Sequence, residues 1–181
     1  MSTWISSDLH FGHSRIMKFC PETRARFRDD VAFMDEAMIQ EWNALIAPDD
    51  LTYILGDIAF HNAKKAAGIM RRLNGRKILV EGNHDTKLVR DIEFATEFEE
   101  IHKYLDITYD GHKIIMFHYP ISEFDQQHRG SLHFHGHLHG GVSGLESYRV
   151  LDVGMDATGV IAISMEDAIK RALKGQIKKH H

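Results

Sequence analysis

Residues 51–85 read LTYILGDIAFHNAKKAAGIMRRLNGRKILVEGNHD. Leu51 to Leu55 is a short β-prone run, and it ends at once in Gly56-Asp57. From Asn62 to Leu73 the apolar residues Ala66, Ile69, Met70 and Leu73 recur at helical intervals, while Lys64, Lys65, Arg71 and Arg72 make the wet face. Asn74-Gly75 closes that helix. Lys77 to Glu81 is a further strand, and it delivers Gly82-Asn83-His84-Asp85. Strands that alternate with a helix and release polar residues at their ends indicate an α/β sheet, in which ligands gather beyond the carboxyl ends of the strands.

The same layout recurs upstream. Thr3 to Ser6 reads as a buried strand running into Ser7-Asp8-Leu9-His10-Phe11-Gly12-His13. Asp8 and His10 are two apart, so at a strand end both face one side, as a carboxylate and an imidazole must to reach one metal. Arg15 to Asp30 shows no clean period and reads as a long loop with at most a helical turn. Its cations Arg15, Lys18, Arg24, Arg26 and Arg28 form either a substrate-binding flap or a solvated surface. Val31 to Ile46 is a packing helix: Val31, Met34, Met38, Trp42 and Leu45 share a stripe, Asp29 or Asp30 caps it, and Pro48 lies beyond its end.

Downstream the chain becomes richer in β-structure. Asp91 to Glu100 is acidic and helical or irregular, and Ile101 to Thr108, Lys113 to Phe117 and Leu132 to Gly136 read as strands. Asp110-Gly111 marks a hairpin. His118-Tyr119-Pro120 follows a strand end. Leu132-His133-Phe134-His135-Gly136-His137-Leu138-His139-Gly140-Gly141 then places four histidines two apart, with glycines that break the strand and deliver His137 and His139 from a turn. Val150 to Val153 and Val160 to Ile163 are short strands, and Ser164-Met165-Glu166-Asp167 caps a last helix to Leu173.

At 181 residues, with 43% hydrophobic and 27% charged content, the chain suits one domain, 1–181, with a sizeable core. A net charge of −4 argues against a sequence-independent coat for nucleic acid, so stable nucleic-acid binding is not expected. Cys20, the one cysteine, cannot form an internal disulfide and is given no role. Neither a secretory leader nor a membrane span is readable, so a cytoplasmic location is expected. His180 and His181 are left out of the site argument.

In order, the polar clusters are Asp8-x-His10, Gly56-Asp57, Gly82-Asn83-His84-Asp85, His118 and Gly136-His137-x-His139. This series resembles the calcineurin-like metallophosphoesterase superfamily, particularly its small bacterial and phage members, and it spans nearly the whole chain. The resemblance implies a four-layer α/β/β/α sandwich of two stacked mixed sheets flanked by helices, with two divalent metals at the sheet ends. One metal would take Asp8, His10 and His139, the other Asn83, His118 and His137, with Asp57 bridging. Such a donor set suits Mn, Fe, Zn or Ni, and Mn is favoured. The implied chemistry is in-line attack on phosphorus by a bridging hydroxide. By the same resemblance His84 is no ligand but faces the scissile phosphate and either donates a proton to the leaving oxygen or stabilises charge there, with Asp57 and Asn83 completing the catalytic set.

Many family members carry a second Asp three residues after the bridging one; here that position is Phe60, so either another group orients His84 or its pKa is raised less than in members with that pair. Asn83, His84, His13 and Arg15 are the candidate substrate contacts. His135 is expected behind the ligands, because it shares a strand face with two of them. His61, His102, His112 and His128 read as ordinary polar residues. The substrate is then a small-molecule or nucleotide-like phosphate ester, a diester more readily than a monoester because little chain is left to cap the cleft. A nuclease is a narrower alternative and a non-catalytic metal-binding scaffold a different one. A His-x-His amidohydrolase barrel is excluded by length, since that fold needs about 250 residues.

Overall fold

The computed structural model describes residues 1–179, so His180 and His181 lie outside the described residues. The strands are β1 (Thr3–Ser6), β2 (Leu51–Ile54), β3 (Arg76–Val80), β4 (Glu100–His102), β5 (Tyr104–Tyr109), β6 (His112–Phe117), β7 (Leu132–His135), β8 (Val150–Asp152) and β9 (Ile163–Ser164). The helices are α1 (Ile16–Phe19), α2 (Pro21–Arg24), α3 (Val31–Leu45), α4 (Ala63–Arg72), α5 (Ile92–Ala95), α6 (Met155–Thr158) and α7 (Met165–Ala172). One sheet has the order β4-β3-β2-β1-β9 and the other β5-β6-β7-β8. In the first, β1 to β4 run parallel and β9 runs antiparallel to β1; in the second, the β5–β6 hairpin is antiparallel and β6, β7 and β8 are parallel.

Period-two alternation builds the layers. Tyr53, Leu55, Ile78 and Val80 face Ile114, Met116, Leu132 and Phe134 across the gap between the sheets. Their neighbours Ile54 and Leu79 point the other way, into a core with Trp42, Met34 and Met38 of α3 and Ala66, Ile69 and Met70 of α4. The protein is thus two stacked mixed sheets flanked by helices. Trp42 is completely buried and donates its indole N–H to the Asn74 carbonyl at 2.9 Å, which ties α3 to the turn before β3.

The three longest helices start on side-chain caps, and two of these, Asp30 and Ser164, are those expected. Asp30 accepts from Phe33 N, Asn62 from Lys65 N and Ser164 from Asp167 N. Asp110 (φ 45) and Gly111 (φ 75) form the two-residue turn between β5 and β6, as that dipeptide suggests.

Three expectations are revised. Ile101 to Thr108 is not one strand: the chain leaves the first sheet after β4 and enters the second at β5, with Lys103 at the crossing. Of Val160 to Ile163 only Ile163 pairs with β1, joined by Ser164. Residues 15–30 fold into α1, α2 and a 3-10 turn, and not into an open loop. No helix among the described residues is long and apolar enough to cross a membrane.

Candidate metal centre

The loops after β1 and β2 are zipped together by Asp8 N to Gly56 O (3.0 Å), His10 N to Asp57 O (3.0 Å) and Phe11 N to Ile58 O (2.9 Å). The loop after β3 is bound to them through Asp85. This carboxylate, wholly buried, accepts N–H bonds from Asp57 (2.7 Å), Ile58 (2.9 Å) and Gly82 (2.9 Å). Burial pushes the Asp85 carboxyl up, against the pull of those three donors. Asp57 Oδ1 in turn accepts the His84 N–H at 2.9 Å. Three strand ends are therefore one rigid platform.

From the second sheet, His118 donates Nδ1–H to the Leu55 carbonyl (2.6 Å), because a carbonyl can only accept. That turns Nε2 toward Asn83 Oδ1 at 3.0 Å and Asp57 Oδ2 at 3.5 Å, and in spite of burial Asp57 and Asp8 raise the imidazole's pKa. His139 is fixed in the same way: Nδ1 meets Asp156 Oδ2 at 2.8 Å, and Nε2 points to Asp8 Oδ1 at 4.0 Å. His137 N donates to both Asp8 oxygens, at 3.1 and 2.9 Å. Gly136 is required for this approach, since a Cβ there would overlap Ser7 Oγ and Asp8 Oδ2. Gly136→Ala is expected to push Asp8 away, destabilise the fold by about 1–3 kcal/mol and weaken Mn2+ binding in titration calorimetry. Unaltered unfolding and unaltered titration would show that the contact yields freely.

The donor atoms of Asp8, His10 and His139 lie within 4.8 Å of one another, as do those of Asp57, His118 and His137. Asp57 Oδ2 is 3.8 Å from His10 Nε2, so the two groups share a border at Asp57. His10 Nε2 is buried and has no hydrogen-bond partner, an orphaned atom aimed between two carboxylates. Among the described residues nine non-glycine residues have positive φ, and five of them are Asp8 (57°), His10 (54°), Asp57 (55°), His137 (72°) and His139 (50°). Each such conformation costs on the order of 1–3 kcal/mol, and its concentration at one place is the mark of a site held in tension by its surroundings.

The carboxylates are held charged. Burial would raise the Asp57 carboxyl, but His118, the His84 amide and His10 outweigh it and hold it at about 2. Asp8 is likewise held low by His10, His118 and His139 in spite of burial. Burial pushes the His10 imidazole down, whereas at His118 and His139 the neighbouring carboxylates outweigh burial and push those imidazoles up. Cys20, close to His139 and Asp156, has its thiol pushed up to about 11 by burial.

A cavity of about 570 Å3 opens over these groups, lined by His10, His13, Asp57, Asn83, His84 and His139 among others. His84 is 45% exposed in its side chain, with Nε2 3.9 Å from Asp57 Oδ2. No carboxylate anchors its far side; the Phe60 ring lies against it at 4.5 Å and also stacks on His13 at 3.9 Å. The ring orients the imidazole where the resemblance would place an aspartate. Arg15 is exposed at the start of α1 and does not line the cavity. His135 is buried behind the turn, Nδ1 on the Gly136 carbonyl at 2.8 Å, and His133 is buried beside it with Ile115 O and Ile121 N as partners.

Three of the five cations of residues 15–28 are turned to other contacts: Arg24 turns inward with 0% exposure, Arg26 pairs with Glu41 and Arg28 lies over Phe33, while Arg15 and Lys18 stay exposed at α1. Sequence reasoning missed the supports: Arg24 and Asp156 behind His139, and Asp35, which bonds His61 Nε2 (2.6 Å) and Gly12 N (2.8 Å). His61 is therefore no ordinary polar residue, because its ring fills the space a side chain on Gly12 would need.

No family model matches the chain. An uncharacterized protein of Methanocaldococcus jannaschii is 28% identical over 183 residues, covering 96% of this chain and 93% of that protein. The crystal structure of a protein of unknown function from Aquifex aeolicus matches with a TM-score of 0.72 and 28% identity, over 93% of this chain and 98% of that one. YfcE, a phosphoesterase from E. coli, matches at a TM-score of 0.44 and 16% identity over 91% and 82%, too weakly to bear on the reaction.

Proposed function

We propose that the chain is a metal-dependent phosphoric ester hydrolase of the calcineurin-like metallophosphoesterase type, acting on diesters more readily than on monoesters. The observation that carries this reading is the pair of three-donor groups meeting at Asp57, five of whose donors sit on strained backbone. The residues fit two divalent cations: Asp8, His10 and His139 would hold one, Asn83, His118 and His137 the other, with Asp57 between. His118 and His139 are each anchored through Nδ1 and turn Nε2 toward a carboxylate of their group, and His10 Nε2 lacks any hydrogen-bond partner. When bound, such a pair supplies Lewis acidity toward phosphoryl oxygens and lowers the pKa of water, and Mn2+ suits this mixed carboxylate and imidazole set.

The chain's own residues do the rest. His84 stands at the cavity wall, its N–H on Asp57 and its ring against Phe60, so it reaches the leaving oxygen of an ester seated over the donors and gives it a proton. Asn83 and His84 are exposed at the mouth, and Phe19, 66% exposed, stands at the rim, which leaves room for the second ester arm of a diester.

Turnover of a bis-aryl phosphodiester against an aryl phosphomonoester, with Mn2+ and after chelation, tests the reading; equal behaviour of stripped and reconstituted protein refutes it. His84→Asn is expected to keep its full complement of Mn2+ and lower kcat by about 10²–10⁴. An unchanged kcat would remove His84 from the chemistry.

A further inference from the structure

A second cavity, about 510 Å3, adjoins the first across Asn83 and His84, which line both. Its wall includes Phe60, His61, Thr86, Lys87 and Arg90, and no carboxylate lines it. Among the described residues Lys87 and Arg90 are exposed and form no ion pair with a carboxylate, unlike Arg24, Arg26, Arg71, Arg72, Arg76 and Arg171 and like Arg15, Lys18 and Lys64; what sets them apart is that both line one cavity beside His84.

Their placement follows from the backbone. Residues 83–90 form a run of turns, in which Val89 N bonds Asp85 O (3.0 Å) and Asp91 N bonds Leu88 O (3.0 Å). Asp85 and Leu88 are buried and anchor the run, while His84, Lys87 and Arg90 recur at three-residue intervals and all line the cavity. The two cations therefore lead outward from the proton donor on the same rigid loop.

We propose that Lys87 and Arg90 form a subsite for a second phosphate, carried by the leaving group of the substrate. This rests on the phosphoesterase reading, which places His84 at the leaving oxygen. An anion bound beyond His84 is then on the leaving side, and a guanidinium with an ammonium meets phosphate by charge-assisted hydrogen bonds. The substrate is a disubstituted phosphate whose leaving group bears a further phosphate: a nucleoside alcohol in a nucleotide strand, or a nucleotide released through its phosphate oxygen from the anhydride of a dinucleoside polyphosphate.

The test compares kcat/KM of the Mn2+-loaded full chain on thymidine dinucleotides bearing a terminal phosphate on either end or on neither. An octathymidylate, a dinucleoside polyphosphate and bis(p-nitrophenyl) phosphate complete the set. A phosphate on the leaving nucleoside is expected to raise kcat/KM about tenfold, mostly through KM, and added salt is expected to erode the gain. In Lys87→Ala/Arg90→Ala, and more so in Lys87→Glu/Arg90→Glu, the ratio falls toward one. Octathymidylate as the best substrate supports a strand, and the dinucleoside polyphosphate as the best supports a small nucleotide. Bis(p-nitrophenyl) phosphate turned over with no gain from the second phosphate, with equal gain from either end, or with a gain that survives both double variants overturns the subsite alone. No turnover of any ester overturns both readings.

Discussion

Asp57→Asn is expected to lower kcat at least about a thousandfold, since the bridging charge contributes several kcal/mol and each 1.36 kcal/mol is a factor of ten. The substitution is chosen because asparagine keeps the Oδ1 that accepts the His84 N–H, so the loop after β3 stays in place. What is lost is the charge that faces His118 Nε2 at 3.5 Å and His10 Nε2 at 3.8 Å. Binding provides a second readout. A cation that binds only the folded chain stabilises it by about 2.7 kcal/mol at a hundred times its Kd, so Mn2+ raises the Tm of the parent and scarcely moves that of Asp57→Asn. Equal Mn2+ stoichiometry and equal Tm shifts in the two proteins would separate Asp57 from the metals.

The second large effect concerns stability without metal. Arg24, fully buried, donates Nε and Nη2 to Asp156 (2.7 and 2.9 Å), Nη1 to Leu9 O (2.9 Å) and Nη2 to Asp8 O (2.7 Å). Asp156 also receives Thr23 Oγ1 (2.5 Å) and meets His139 Nδ1 (2.8 Å). Arg24→Met removes a buried cation and strands its carboxylate, which costs about 3–5 kcal/mol. Denaturant unfolding in chelator reads it, and a loss below about 1 kcal/mol would refute the role. The pH dependence has a definite sign. Burial would raise the Asp156 carboxyl, but His139, Arg24 and Thr23 hold it far below the usual range. A depressed folded pKa stabilises fully above the unfolded value of about 3.9 and is lost as pH falls below it. The gap between the parent and Arg24→Met therefore narrows on acidification below that value. Arg24→Met/Asp156→Asn recovers part of the loss at neutral pH.

That the polar clusters gather at one end of the fold was legible because five of the seven proposed ligands come soon after a strand, where a sheet exposes its carboxyl edge. Asp8, Asp57, Asn83, His118 and His137 all follow strands in this way. The caps Asp30 and Ser164 were legible for the same local reason. Less readable were features that depend on distant partners. Arg24 and Asp156 are 132 positions apart, and nothing near either one signals a buried pair. Lys103 sits inside a continuous β-prone stretch, and the change of sheet there leaves no trace in composition. Phe60 was visible as an absence of aspartate, but its contact with both His13 and His84 needed the fold.

The bond from His137 N to Asp8 Oδ2 joins residues 129 positions apart. A growing chain that has emerged as far as the β5–β6 hairpin has Asp8, His10 and Asp57 but not yet His118, His137 and His139. Under the proposed reading neither donor group is complete until the turn after β7 has been made, and a nick before His137 that frees the rest of the chain would take His139 from one group and His137 from the other.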